Sequence, residues 1–101
     1  MARIIERKGG LKFGFFYAPK PFATLLISNS ELTIRYLWFF KYVFKKDDIV
    51  SLNMREGRQR SGLRIKHNVV KYPRKIIFRT KKTNTLEHNL RTMGYTIKVY
   101  E

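Results

Sequence analysis

Cysteine is absent from this chain, and acidic side chains are scarce: seven Asp and Glu stand against 22 Lys and Arg in 101 residues. Without cysteine there is no disulfide framework and no thiolate to offer a metal, which fits a reducing compartment. Long apolar runs are missing too. The stretch Tyr36 to Phe44 is broken by Lys41 and falls well short of the roughly 20 residues that a membrane-crossing helix needs. The opening Met-Ala-Arg-Ile-Ile-Glu-Arg-Lys lacks the apolar segment of a secretion signal. Few acids also leave few groups for acid–base chemistry. Of Glu6, Glu31, Asp47, Asp48, Glu56, Glu87 and Glu101, only Asp47 and Asp48 are adjacent, and neighbours at a corner point apart rather than share a proton. His67 and His88 have no ligand-type neighbours at metal spacing. No Gly-rich phosphate loop, nucleophile elbow or triad pattern occurs. The expectation is a protein that is no enzyme and uses no cofactor or metal.

What is present is positive charge on a hydrophobic frame. The formal net charge is +15, while apolar residues make up 44% and aromatics 15%. That is too apolar for a disordered polycation, and the length suits one domain with a modest core. A charge this large works against the compact state through self-repulsion, so it points to a polyanionic partner: an anionic lipid surface, an acidic protein or nucleic acid. A cytoplasmic protein, able to rest on a membrane surface, is expected.

Turn signals recur every 8–12 residues or so, the spacing of an antiparallel sandwich or barrel. Residues 1–10 read as a basic N-terminal segment, a tail or a first strand, closed by Gly9-Gly10. Leu11 to Tyr17 reads as an aromatic strand with Gly14 at a bulge or a close backbone approach, ended by Pro19 and Pro21. Phe22 to Ser28 and Glu31 to Tyr36 follow around Asn29-Ser30. Lys41 to Phe44 and Ile49 to Arg55 flank a charged corner, with Val50, Leu52 and Met54 on one side. A loop from Gly57 to Gly62 leads to Leu63–His67, and Lys75–Thr80 is the last strand. Thr83 to Met93 is the one convincing helix, stopped at Gly94, with Thr83 or Thr85 as its cap. Leu86, Leu90 and Met93 fall at i, i+4 and i+7 and make one apolar stripe. Residues 95–101 read as a tail. The expected fold is therefore all-β: about seven antiparallel strands in a barrel or sandwich, with one C-terminal capping helix over residues 83–94.

This pattern resembles the pleckstrin-homology-like barrel, especially its small bacterial members. The resembling stretches are Leu25 to Ile34, Phe44 to Leu52, Gly62 to His67, Ile76-Ile77-Phe78, and Leu86 through Gly94-Tyr95. The resemblance implies a single domain that binds lipid, peptide or protein, a range too wide to fix function. Eukaryotic phosphoinositide-binding members carry a Lys…Arg-x-Arg pattern across the first two strands. Here Lys8, Lys12 and Lys20 stand in that region, but Phe22 to Ser28 has no basic residue, so that site is not carried over. The family's helix tryptophan is missing as well, since Trp38 is the only one.

Two candidate surfaces remain. Residues 55–82 hold eleven Lys and Arg against Glu56 alone. Arg64 and Lys66 share a strand face opposite Leu63 and Ile65, with Arg58 and Arg60 on the adjoining loop and Arg79 beside them. These five are the candidate anion-binding residues. The second is Tyr36-Leu37-Trp38-Phe39-Phe40, five large residues that cannot all face one core. Leu37, Trp38 and Phe39 are the candidate contacts for a membrane interface or for a second copy of the chain. The leading reading is a binding module docking on membrane lipid or an acidic protein. Its alternatives are nucleic-acid binding, with aromatics of Phe13–Tyr17 as stacking platforms, and an assembly subunit. Lys12-Phe13-Gly14-Phe15-Phe16-Tyr17 also approximates an RNA-recognition octamer, but Phe13 stands where that pattern puts glycine.

Overall fold

The computed structural model describes residues 4–37, 39–55 and 61–100, the last by its backbone alone. They form strands β1 (Ile5–Phe13), β2 (Phe16–Ile27), β3 (Glu31–Tyr36), β4 (Phe40–Lys45), β5 (Ile49–Arg55), β6 (Gly62–His67) and β7 (Lys75–Arg79). Helix α1 (Thr83–Thr92) and strand β8 (Lys98–Tyr100) complete the set. The strands make one sheet in the order β4-β3-β2-β1-β7-β6-β5-β8. Two antiparallel meanders are thus joined along β1 and β7, and β8 adds to β5 in parallel.

The mostly-β reading with one helix near the C-terminus holds, but the count and the closure differ. There are eight strands, and the sheet is open, with β4 and β8 at its two ends rather than sealed into a barrel. The extra strand comes from the expected tail, where Lys98–Tyr100 pairs with Asn53–Arg55. Three residues of alternating pattern are too short a signal to separate from a tail.

The N-terminal hairpin also departs from expectation. β1 runs straight through Gly9 and Gly10, and Gly14 (φ 56°) lies in the turn between β1 and β2 rather than at a bulge. Pro19 and Pro21 do not end a strand. The ladder pairs Leu11 with Ala18 but Gly9 with Ala23, so the residues between stand outside regular pairing. Proline's missing N–H costs no ladder bond there.

The core is a stack of cross-strand rows. Partners directly opposite share a face, and the register places Ile5, Ile27, Leu32 and Phe44 in one row. Leu11, Phe78, Leu63 and Met54 form another, and Ile76, Ile65 and Leu52 a third. All of these but the half-buried Ile5 are buried. Val50 leaves the face expected for it, and is 64% exposed, because the β5–β6 register shifts between Ile49 and Ser51.

Helix α1 closes the core with Leu86 and Leu90, and Met93, Tyr95 and Ile97 continue the seal. Burying a leucine side chain contributes about 1.5–3 kcal/mol. Neither Thr83 nor Thr85 caps the helix. The N-cap is Lys82, whose own N–H is held by Thr80 Oγ1 at 3.1 Å. Gly94 stops it as expected, at φ 89°, and the N–H of Tyr95 reaches back to Leu90 O at 3.0 Å. The end is then pinned to the first meander. Tyr95 Oη donates to Ser28 O at 2.7 Å, and Lys46 Nζ donates to Met93 O at 3.2 Å while lying over the Tyr95 ring. Burial, followed by the nearby Glu31 carboxylate, pushes the Tyr95 hydroxyl up to about 12.

Candidate functional site

The outer face of the second meander is built by simple alternation. In β6, Leu63 and Ile65 turn inward, so Arg64 and Lys66 turn outward; in β7, Ile76 and Phe78 turn inward, so Lys75, Ile77 and Arg79 turn outward. The register assembles these into rows. Lys12 of β1 faces Ile77, Ile77 faces Arg64, Arg64 faces Asn53 and Asn53 faces Lys98. Tyr17 of β2 stands opposite Lys12 and extends the row to a sixth strand. A second row contains Gly10, Arg79, Gly62 and Arg55, and a third Lys75, Lys66 and Ser51.

These side chains enclose a depression of about 740 Å³ lined by Lys12, Arg55, Arg64, Lys66, Arg79 and Lys98 with Ser51, Asn53, Gly62 and Ile77. Among the described residues, six cations and no carboxylate line it. Its floor is half-buried at Arg64, Ile77, Asn53 and Ser51, whereas Lys12, Arg55, Lys66 and Lys98 stand exposed around the rim. Arg64 Nε is shut off from solvent and makes no hydrogen bond among the described residues. Gly62 is required beside Arg79, because a Cβ there would meet Phe78 O at 2.5 Å. A second depression of about 470 Å³ shares Arg79 and adds Gly10, Tyr17, Lys20, Ser61, Thr80, Lys81 and Lys82.

Of the five expected anion-binding residues, Arg64, Lys66 and Arg79 are brought together here. Arg58 and Arg60 lie outside the described residues. Lys12, which the sequence offers only toward the phosphoinositide pattern, and Lys98, expected in a tail, join Arg64, Lys66 and Arg79; Lys12 lies between Leu11 and Phe13 and Lys98 between Ile97 and Val99. Only pairing between distant strands brings them to the groove.

The aromatic corner lies elsewhere. Leu37 and Phe39 sit in the β3–β4 turn of the first meander, Leu37 with φ 51° and Phe39 85% exposed; Trp38 lies outside the described residues. The Phe13–Tyr17 aromatics divide. Phe13 and Phe16 stack at 4.7 Å and pack against Tyr36, whereas Phe15 and Tyr17 are exposed. Tyr42 joins this cluster through a 2.8 Å hydrogen bond between its hydroxyl and that of Tyr36, and burial, then that bond, raises its hydroxyl well above the ordinary value.

His67 has a structural task. Its Nε2 lies 2.6 Å from Pro73 O, and its Nδ1 accepts from the Val69 N–H at 3.0 Å. A neutral ring protonated on Nε2 satisfies both contacts and ties down the connection between β6 and β7. Among the described residues there is no group of three or more His, Cys, Asp or Glu able to hold a metal ion, and no helix long and apolar enough to cross a membrane. Comparison of the chain with protein-family models, with curated proteins and with solved structures finds no match.

Proposed function

We propose that the protein is a non-catalytic binding module that takes a polyanion into the groove on the outer face of β1, β5, β6, β7 and β8. The observation that carries this reading is the register: seven cations, Lys12, Arg55, Arg64, Lys66, Lys75, Arg79 and Lys98, fall in three adjacent rows without an acid among them. A solvated face of ordinary character mixes signs, because like charges directly opposite one another destabilise a sheet. The pleckstrin-homology-like resemblance belongs to this reading as a proposal, and the open sheet and the parallel β8 depart from it. Within that resemblance the groove is a binding face on the second meander. Of the basic residues on the first two strands, which lack the phosphoinositide pattern, only Lys12 lines the groove.

Titration with heparin and with inorganic polyphosphate at several salt concentrations tests the reading. Binding is expected to weaken steeply as salt rises. Neutralising Arg64 and Lys66 together should weaken it more than neutralising Lys41 and Lys45, which lie on β4 at the far end of the sheet. Equal losses from the two pairs would reduce the effect to net charge and defeat the site. A second reading, docking on an anionic membrane surface, draws on the same cations and is favoured by one feature, exposed Phe15 and Phe39. Vesicles in the same titration decide between them.

A further inference from the structure

We infer that the polyanion is a single-stranded nucleic acid, its backbone lying along the Tyr17–Lys12–Ile77–Arg64–Asn53–Lys98 row and a base stacked on Tyr17. The inference rests on the groove being the polyanion site and adds the identity of the occupant. Six strands at ~4.8 Å spacing make a row of roughly 24 Å, so the site is a track rather than a point. A track of cations across a sheet fits a chain of phosphates.

Three features select a single strand among chain-like and surface polyanions. Tyr17 is 57% exposed and in register with the cations, so an aromatic face and the phosphate-binding groups belong to one line. It also borders the second depression, where Lys20, Arg79, Lys81 and Lys82 continue the positive lining. Every base has a π-face, but a duplex keeps its faces stacked inside, so only an unpaired strand can use Tyr17. The groove floor carries Ile77 between the cations, an apolar contact suited to bases or sugars and of no use to a plain sulfated or phosphorylated chain. The burial of Arg64 adds to this. Arg64 is half-buried in the floor with its Nε shut off from solvent, whereas a flat layer of headgroups meets the exposed rim cations first. Because that desolvation has already been met in the free protein, a phosphate arriving at Arg64 gains a charge-assisted contact with less to offset it.

The test compares a labelled thymidine oligonucleotide of about 12 nucleotides, within the site sizes of single-strand binders, with a duplex of equal length and heparin. Phosphatidylserine–phosphatidylcholine vesicles form the fourth arm, all at matched salt. The single strand should bind tightest. Tyr17→Ala should weaken it on the order of tenfold without changing the salt slope, and Tyr17→Phe should restore it, because stacking needs the ring and not the hydroxyl. Lys12→Ala should instead flatten the salt slope by about 0.7, the loss of one phosphate contact. Tyr17 is exposed, and circular dichroism checks that the variants remain folded. If duplex or heparin binds as tightly and Tyr17→Ala is silent, the single-strand inference falls while the polyanion groove stands. If vesicles bind and oligonucleotides do not, the inference falls likewise and the occupant is lipid. If nothing anionic binds, both readings fall.

Discussion

Lys66 and Lys75 are paired directly across β6 and β7, both exposed and both outward. Such partners have Cβ atoms about 5 Å apart. Two like charges at that distance in water repel by roughly 0.8 kcal/mol, less once the flexible ammonium stems splay apart. Lys75→Glu turns this repulsion into attraction, so it should stabilise the fold by about 0.5–1 kcal/mol at low salt, a rise of a few degrees in Tm for a domain this size. The same change places a carboxylate at the end of the groove and lowers the net charge by two. Polyanion affinity should fall several-fold, with a salt slope shallower by about 1.4 if both charges face phosphates of a single strand. Lys41→Glu is the matched control. Lys41 stands opposite Arg35 on β3 in the first meander, so it also relieves a like pair, but it lies away from the groove. It should stabilise without weakening binding beyond its effect on net charge. Urea unfolding at low and moderate salt, beside anisotropy titrations, reads both quantities. The reasoning is refuted if Lys75→Glu destabilises the protein at low salt, or if the two variants weaken binding equally.

Leu90 is fully buried under α1, so Leu90→Ala should cost about 3–4 kcal/mol by urea denaturation. Its neighbour Asn89 is buried with an amide nitrogen that makes no hydrogen bond among the described residues, so Asn89→Ala should be close to neutral. At Gly9 a Cβ would meet Arg79 O and the Phe78 ring, and Gly9→Ala should lower stability by about 1–3 kcal/mol in thermal melts. Alkaline pH should unfold the protein progressively. The Tyr95 hydroxyl, ordinarily near 10, is raised to about 12 in the fold, so the unfolded chain loses its proton first. Its stabilising contribution is complete below pH 10 and declines from there towards 12, and Tyr42 acts in the same direction. Tyr95→Phe should shallow that decline and cost about 1 kcal/mol at neutral pH through the lost bond to Ser28 O, as urea midpoints over a pH series will show.

Where local pattern decides structure, the sequence was a good guide. The bounds of β5 and the end of α1 at Gly94 follow from alternation and from a residue tolerant of positive φ, and Arg64 and Lys66 share a face for the same reason. Where a neighbouring strand decides, the sequence was silent. Proline normally ends a strand, yet Pro19 and Pro21 sit inside β2 because irregular pairing with β1 asks nothing of their nitrogens. Val50 looked like core beside Leu52 and Met54, but a shift of register turned it outward. The groove itself was half legible. Its density of cations was plain in residues 55–82, but Lys12 and Lys98 come from the two ends of the chain, and only the β1–β7 and β5–β8 pairings deliver them.

The two meanders serve as internal controls for one another. Both bury similar aliphatic rows inward, so both have the same structural need of their outer faces, which is to remain soluble. The first meets it with Glu6, Thr24, Leu26, Thr33 and Val43 among its cations, and with an ion pair of Glu6 and Arg35 at 3.9 Å. A sheet of this kind therefore tolerates neutral, apolar and acidic residues at such positions. Each meander sets one like pair face to face, Arg35 against Lys41 in the first and Lys66 against Lys75 in the second, but only the second, among the described residues, has no acid in its outer rows and surrounds its half-buried Arg64 with further cations, at a cost in repulsion from which the fold gains nothing. Local choices that oppose stability without serving the fold collect where a protein meets its partner. Arg64 is the sharpest instance. Arg7 of the first meander also holds its Nε out of solvent with no hydrogen bond among the described residues, but it lies opposite buried Leu25; Arg64 stands instead among further cations in a groove, an arrangement that becomes favourable when an anion arrives.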